Sequence, residues 1–446
     1  MKKIILLIVI AIIALLPLIG NKVIESAIDE KVKAVSANGV KVQNSSTDSG
    51  YFSTSKHYEF VIGDSDKLIS YLNQYSDKQI PAYISLMLKG MHIGLDMSYS
   101  NMLFNDSVEL DIYPLSLADK AAMDLEKEDK DLYKYITNFL KIKGLLYHLN
   151  YNLSSEDFNG YIKDIDEEYL SKDGTKTKLL MKNIIYSGNG SLMHPSKMDS
   201  TLQKIVIQSV NKKEAFDLVV ENVTSSSNFK TKTTYFSKAN IEKVEFKTHN
   251  KESAEVYLND LKFALDADTQ SSKAKFSSKS SFKELSFKTS KENISLYDFN
   301  YDVNLKEINK EGFEELSGLL EKARTEVTPE LQMKISNTMF AILLNGLVLD
   351  VKDISLGKVS KGSLKSVDAF SINALATLKA GSKQELVKNI SLDAFVKISK
   401  DFFKMMNKEL PASMIAGGFA KELGKDYVFD IKFKDSKLTV NGKDIK

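Results

Sequence analysis

The chain contains no cysteine. It therefore has no disulfide, no thiolate metal site, no thiol nucleophile and no lipid-modified cysteine. A body of this length can bury a core large enough to need no covalent staple, so the absence is compatible with an oxidising compartment. Arginine is almost missing too: Arg324 is the only one among 446 residues. Arginine supplies the planar fork that reads phosphates and base edges, so a phosphate-reading or DNA-reading role is disfavoured. Nor is there an excess of one charge. The formal net charge is +2, and Lys2 and Lys3 account for it, leaving 59 basic against 59 acidic residues. A neutral body lacks the electrostatic footprint of a nucleic-acid binder. With 43% hydrophobic and 27% charged residues, the composition is globular, neither disordered nor polytopic.

Long apolar runs are absent except one. After Met1-Lys2-Lys3, the stretch Ile4 to Ile19 carries no polar side chain. As a helix it reaches roughly 25 Å, the short end of a membrane span. Ile4, Ile8, Ile12, Leu16 and Ile19 mark the apolar anchor, and Lys2 and Lys3 snorkel at one end. Cleavage of a signal peptide needs small residues at alternate positions. Leu18 before Gly20 and Glu25 before Ala27 both fit poorly, so the segment reads as an uncleaved signal anchor. The lysine pair predicts a cytoplasmic N-terminus and an exported body. Beyond it, Val23, Ile24, Ala27, Ile28, Val32 and Val35 recur at helical spacing, predicting a stalk that ends before Asn38-Gly39. The expected organisation is an anchor over 1–21, a stalk over 22–38 and an exported body over 39–446. A soft subdivision near 305 separates a strand-rich part (39–305) from a helix-plus-strand part (306–446).

In the body, apolar residues alternate with polar ones. Leu145, Tyr147, Leu149, Tyr151 and Leu153 form one such set. Tyr297, Phe299 and Tyr301 form a second, and Tyr427, Phe429, Ile431 and Phe433 a third. Each predicts a strand with one greasy and one wet face, the antiparallel habit. Asn189-Gly190 and Asn441-Gly442 read as hairpin turns. Helices are expected over Asp66 to Gly90, broken near Pro81, and from Ala118 to Lys143. Two more run from Glu311 to Arg324 and from Thr328-Pro329-Glu330 to Leu344, with Thr328 as N-cap. A last helical region, Ser391 to Lys421, is split by Pro411. The serine- and lysine-rich Thr269 to Asn293 contains Phe276, Phe282, Leu285 and Phe287, so it predicts strands and not a linker. The expected fold class is α+β: a long, curved, meander-like antiparallel sheet with helices on one face, plus the transmembrane helix.

Four features together resemble a family. They are the anchor with its stalk, the run Gly50-Tyr51-Phe52-Ser53-Thr54-Ser55 before a strand, the long β-rich middle, and the C-terminal Phe433 to Lys443. This combination resembles the YdgA-like bacterial envelope proteins, a family of unknown function, over nearly the whole chain. Asp435-Ser436 stands where that family commonly has Asp-Gly. The resemblance implies a single-pass inner-membrane anchor and a periplasmic body, and carries no catalytic residue over.

Catalytic and metal signatures are lacking. His57, His92, His148, His194 and His249 show no ligand spacing, and three of them sit in alternating strands. Ser53 to Lys56 and Ser280 to Lys283 match Ser-x-x-Lys, but in strands the two side chains point to opposite faces. Asp164 to Glu168 lacks the glycine and terminal glutamate of a calcium loop. No cofactor, no metal site and no enzymatic activity are expected. Three roles follow in order: a structural or protein-interaction role, binding of a lipid or other apolar envelope component along a sheet face, and an envelope hydrolase. The oligomeric state stays open.

Overall fold

A computed structural model describes residues 32–445, apart from short stretches at 51–52, 76–79, 81–83, 101–105, 192–194, 212–213, 232, 250–252, 324–326, 363–364 and 407–411. The expected anchor and most of the stalk lie outside the described residues. Residues 32–37 are helical and run into the turn at Asn38 and Gly39. Among the described residues, no helix is long and apolar enough to cross a membrane. The fold is α+β and mostly antiparallel sheet. It divides into two compact units, one reaching residue 212 and one beginning at 213, so the change from strands to helices after residue 309 falls inside the second.

In the first unit, β1 (Val40–Ser49) and β2 (Ser53–Ile62) precede two short helices, α1 (Ser65–Tyr75) and α2 (Ser85–Leu88). β3 (His92–Ser100) and β4 (Ser107–Pro114) follow. Two helices come next, α3 (Asp119–Glu128) and α4 (Lys130–Lys141), then β5 (Tyr147–Asn152). The order of pairing is β1-β2-β3-β4-β5-β6, with β6 at Asp157–Ile162. Next come β7 (Ile165–Leu170), β8 (Lys176–Lys182), β9 (Ile184–Gly190) and the long β10 (Pro195–Val210). β6 and β7 pair with β9 and β8 in one shared register, so these four make one long hairpin with a bend at Asn183. β10 runs along both β9 and β8. Alternation decides the faces. Tyr147, Leu149 and Tyr151 are buried and the intervening residues are not. They stand opposite Ile112, Leu110 and Val108, which stand opposite Leu95, Met97 and Tyr99.

The second unit is a meander of long strands: β11 (Ala215–Phe229), β12 (Tyr235–His249), β13 (Ser253–Asp268), β14 (Lys273–Thr289) and β15 (Asn293–Asn309). Helices α5 (Lys310–Ala323) and α6 (Pro329–Leu344) follow, and α6 opens as expected, with the Thr328 hydroxyl accepting from the Leu331 N–H at 3.1 Å. β16 (Leu347–Lys361) and β17 (Val367–Leu378) return to the sheet. The helical turn α7 (Leu386–Asn389), β18 (Ile390–Ser399) and two more short helices, α8 (Lys400–Met405) and α9 (Ala412–Ala416), come next. The chain ends in β19 (Lys421–Leu423), β20 (Asp426–Lys434), β21 (Lys437–Val440) and β22 (Lys443–Ile445). Consecutive strands pair antiparallel from β11 to β18, and β20 then pairs with β18. Asp435-Ser436 and Asn441-Gly442 both have positive φ at each residue, the geometry of a tight hairpin turn.

A crease crosses this meander. Asn222, Asp260 and Asp298 sit mid-strand at φ of 52°, 54° and 54°. Asn and Asp are the non-glycine residues that enter the left-handed region at least cost. On either side of the crease the strand pairing keeps one register, so the kinks align across the sheet. Each kink also shifts the alternation. The apolar residues facing one another are Leu296 and Val359 on one side and Phe299 and Leu356 on the other, two residues apart where a flat strand has one between. All four belong to one hydrophobic cluster, so they share a face.

Four expectations are corrected. Ser391 to Ser399 is strand β18, not helix, because Leu392, Ala394, Val396 and Ile398 alternate and pair with Phe433, Ile431, Phe429 and Tyr427. The helix expected from Ala118 to Lys143 is two helices: Asp129 ends α3 and caps α4, its carboxylate accepting from the Leu132 N–H at 3.0 Å. Asn189-Gly190 lies at the end of β9, where Asn189 stands opposite Asp157 and Lys197, so it is no hairpin turn. Asp164 to Glu168, which as a failed calcium loop is expected to be a solvated turn, instead enters strand β7 at Ile165.

Candidate functional site: an apolar sheet face

The apolar residues of the second unit form straight lanes across its strands. One lane runs Val220, Val244, Leu258, Leu285, Leu296, Val359 and Val367, each directly opposite the next. On the other side of the crease, Phe282, Phe299, Leu356, Phe370, Ile398 and Tyr427 make a second. A third joins Phe263, Ser280, Tyr301, Ile354, Ile372, Val396 and Phe429. The sequence-derived sets at 299–301 and 427–433, more than a hundred positions apart, thus share one face. Tyr297 does not join them: it stands opposite Glu284 and Lys358, because the kink at Asp298 changes the alternation.

What covers this face differs along it. Over β16 and β17, Leu356, Val359 and Ala369 are buried, with Phe402 and Met405 of α8 packed against them. At the end of β14 and β15 nearest the helices, Ala274 and Ile308 are buried with Ile342, Phe313 and Leu316 of α5 and α6. Across β11 to β14 it is otherwise. Among the described residues of these four strands, only Ala267 and Ala274 are buried hydrophobics, although the strands are 15 to 17 residues long. Val220, Val244, Leu258 and Leu285 are half-buried, and Phe263 and Phe287 are 40% and 43% exposed. The opposite face is laced with ion pairs: Lys243 and Lys247 on Glu245, Lys283 on Asp260 at 2.9 Å, and Lys279 on Asp302 at 3.0 Å. Those cations hold the Glu245 and Asp260 carboxyls below the usual range, through hydrogen bonds first and charge second.

In the first unit the corresponding residues are packed core. Leu145, Tyr147, Leu149 and Tyr151 are buried, Leu149 completely, and Leu153 lies in the turn after β5. Leu125 of α3 and Leu132, Ile136 and Leu140 of α4 line a small cavity with Leu145, Ile165 and Leu179, so those helices cover that end of the sheet. The two sets of alternating residues, alike in sequence, therefore have different surroundings.

Comparison with known protein families, with curated proteins and with solved structures finds no match. The chemistry of the chain rests on its own geometry. Among the described residues, no group of three or more His, Asp or Glu side chains is arranged to hold a metal ion. The histidines that matter lie on the polar face of the first unit, where β2, β3, β4 and β5 bring His57, Asp96, Asp111 and His148 into one row. Nothing in their sequence spacing predicted that, because each is supplied by a different strand.

Proposed function

We propose that the second unit binds the apolar chains of a membrane lipid along the creased face of β11 to β14. The observation that carries this reading is the near absence of buried hydrophobics in four long strands whose apolar residues nonetheless line up in lanes. An extended apolar face left half-covered supports this reading, because proteins rarely leave such faces without a partner. The lanes favour an extended chain over a compact partner. They run perpendicular to the strands with one side chain per strand, so four steps from β11 to β15 span roughly 19 Å. The aligned kinks give that face a crease along which such a chain can lie. The N-terminal apolar run would tether the body to the bilayer, on the periplasmic side of a bacterial inner membrane. That arrangement agrees with the resemblance to YdgA-like envelope proteins. The protein then acts as a carrier or scaffold, not as an enzyme. A protein partner seated on the same face is the second reading, favoured by the exposed Phe263 and Phe287, which suit interface anchors.

The test is native mass spectrometry with solvent extraction of residues 22–446 exported to a bacterial periplasm. A stoichiometric phospholipid is expected. It should be lost in Leu258→Asp/Phe263→Asp and kept in Lys275→Gln on the opposite face. A clean apoprotein from the unsubstituted chain would sink the lipid reading, and a co-purifying protein released by the same double substitution would install the second.

A further inference from the structure

The polar face of the first unit carries an ordered row that the lipid reading does not use. His57 on β2 stands opposite Asp96 on β3, which stands opposite Asp111 on β4, then His148 on β5 and Tyr161 on β6. The row is joined in two His–Asp pairs. His57 Nδ1 and Asp96 Oδ1 are 2.6 Å apart, and His148 Nδ1 and Asp111 Oδ1 are 2.7 Å apart. The Asn150 amide lies 3.3 Å from His148 Nε2. Tyr161 stacks on the His148 ring at 4.8 Å with 26° between the planes, and is itself 44% exposed. A cavity of about 310 Å³ opens over His57, Asp96, Asp111 and His148, lined also by Asp48, Lys56, Ser98 and Glu109, with Tyr161 beside it on His148.

The row is held in place from one side. Gly94 has no side chain, and a Cβ there would strike the Tyr113 ring at 2.2 Å. That gap lets Tyr113 lie across β3 and donate to Asp96 Oδ2 at 3.1 Å. Lys143 donates to the same oxygen, from a position just past α4 with φ of 54°. Glycine is the low-cost residue at such a helix end. Here the strained position carries a lysine whose side chain reaches the row. Burial alone would raise the Asp96 carboxyl, but the hydrogen bonds from Lys143, His57 and Tyr113 outweigh it and hold it below the usual range.

Fixed planar acceptors and donors beside an exposed ring suit one ligand chemistry. Carboxylate, imidazole and amide groups held in place by hydrogen bonds bind vicinal hydroxyls at a reduced ordering cost. An exposed tyrosine offers the apolar face of a sugar ring a platform. Neighbouring strands are roughly 4.8 Å apart, close to the repeat of an extended pyranose chain. Charge disfavours the acidic members of this class, since four carboxylates, Asp48, Asp96, Glu109 and Asp111, line the cavity against the one lysine, Lys56, and Lys143 is engaged by Asp96. We propose that this row is a saccharide-binding surface that takes a neutral pyranose chain laid across β2 to β6, about one ring per strand, with Tyr161 as its stacking platform.

The test is titration calorimetry of the full-length chain in detergent with three hexamers: β-1,4-linked N-acetylglucosamine, its deacetylated cationic form, and an anionic uronic acid. The neutral hexamer is expected to bind and the anionic one not. Tyr161→Ala, at an exposed position, should weaken the neutral ligand roughly three- to tenfold with an unchanged circular dichroism spectrum. His148→Gln should weaken it further, since it removes the ring on which Tyr161 stacks. No binding of the neutral hexamer at millimolar concentration, or binding that neither substitution moves, overturns the proposal. Binding confined to the cationic hexamer and abolished by salt overturns it equally, in favour of an amine site. Neither result depends on whether the second unit holds lipid.

Discussion

Gly357 and Asp298 make the crease of the second unit open to a decisive test. Gly357 lies within β16, in the gap between Leu356 and Lys358 where the pairing with β15 is interrupted. An added Cβ would stand 2.9 Å from the Asp298 Cβ and 3.3 Å from the Tyr297 carbonyl oxygen. In an ordinary strand, Gly→Ala gains about 0.5–1 kcal/mol by reducing chain entropy. Here overpacking against a fixed kink costs about 1–3 kcal/mol, so Gly357→Ala should lose about 1 kcal/mol net. Asp298→Gly removes both the opposing Cβ and the left-handed penalty of about 1–2 kcal/mol, offset by the added entropy of a strand glycine. The double variant should recover most of the loss, a coupling of about 1–2 kcal/mol. Urea unfolding followed by far-UV circular dichroism gives the midpoints, compared at constant slope. If Gly357→Ala raises the midpoint, or if the two effects add to within about 0.5 kcal/mol, the crease is not a packing constraint and this account of it is wrong.

Three further outcomes are expected. Leu149→Ala empties a completely buried position in the first unit and should cost about 2–5 kcal/mol, read from the urea midpoint. Thr328→Ala removes the hydroxyl that caps α6 and should cost about 1 kcal/mol, while Thr328→Ser should restore most of it. Asp96 has a lowered carboxyl pKa, so its contribution is present above the ordinary carboxylate range and is lost as pH falls through the folded value. The midpoint difference between the unsubstituted chain and Asp96→Asn should therefore be full at pH 7 and shrink below about pH 4. A difference that stays constant down to pH 2.5 would contradict the bonding described for Asp96.

Much of the fold could be read from period-two patterning, because one wet face and one greasy face leave a mark on every second residue. That holds for β5 and β20 and for the serine-rich β14, where the phenylalanines gave the strand away. It holds also at Ser391 to Ser399, expected as helix, where Leu392, Ala394, Val396 and Ile398 alternate as the strand requires. The crease also leaves a trace in the sequence. Apolar residues three apart recur in strand after strand, at Val220 and Val223, Ile241 and Val244, Leu258 and Leu261, Phe282 and Leu285, and Leu296 and Phe299. That shift of phase inside a strand marks a kink, and Asn222, Asp260 and Asp298 stand in or beside three of those gaps.

The sequence by itself determined the antiparallel habit, the helix start at Thr328 and the C-terminal turns, because these depend on local periodicity and on a few residues with restricted backbones. Tertiary structure alone decided which greasy face is covered. Leu149 and Leu258 look alike in sequence, yet one is completely buried in the first unit and the other is half-buried on an open lane. Alternation reports that a side has been made apolar, not what lies against it. It also decided the row from His57 to Tyr161, whose members come from five strands and meet only through their register.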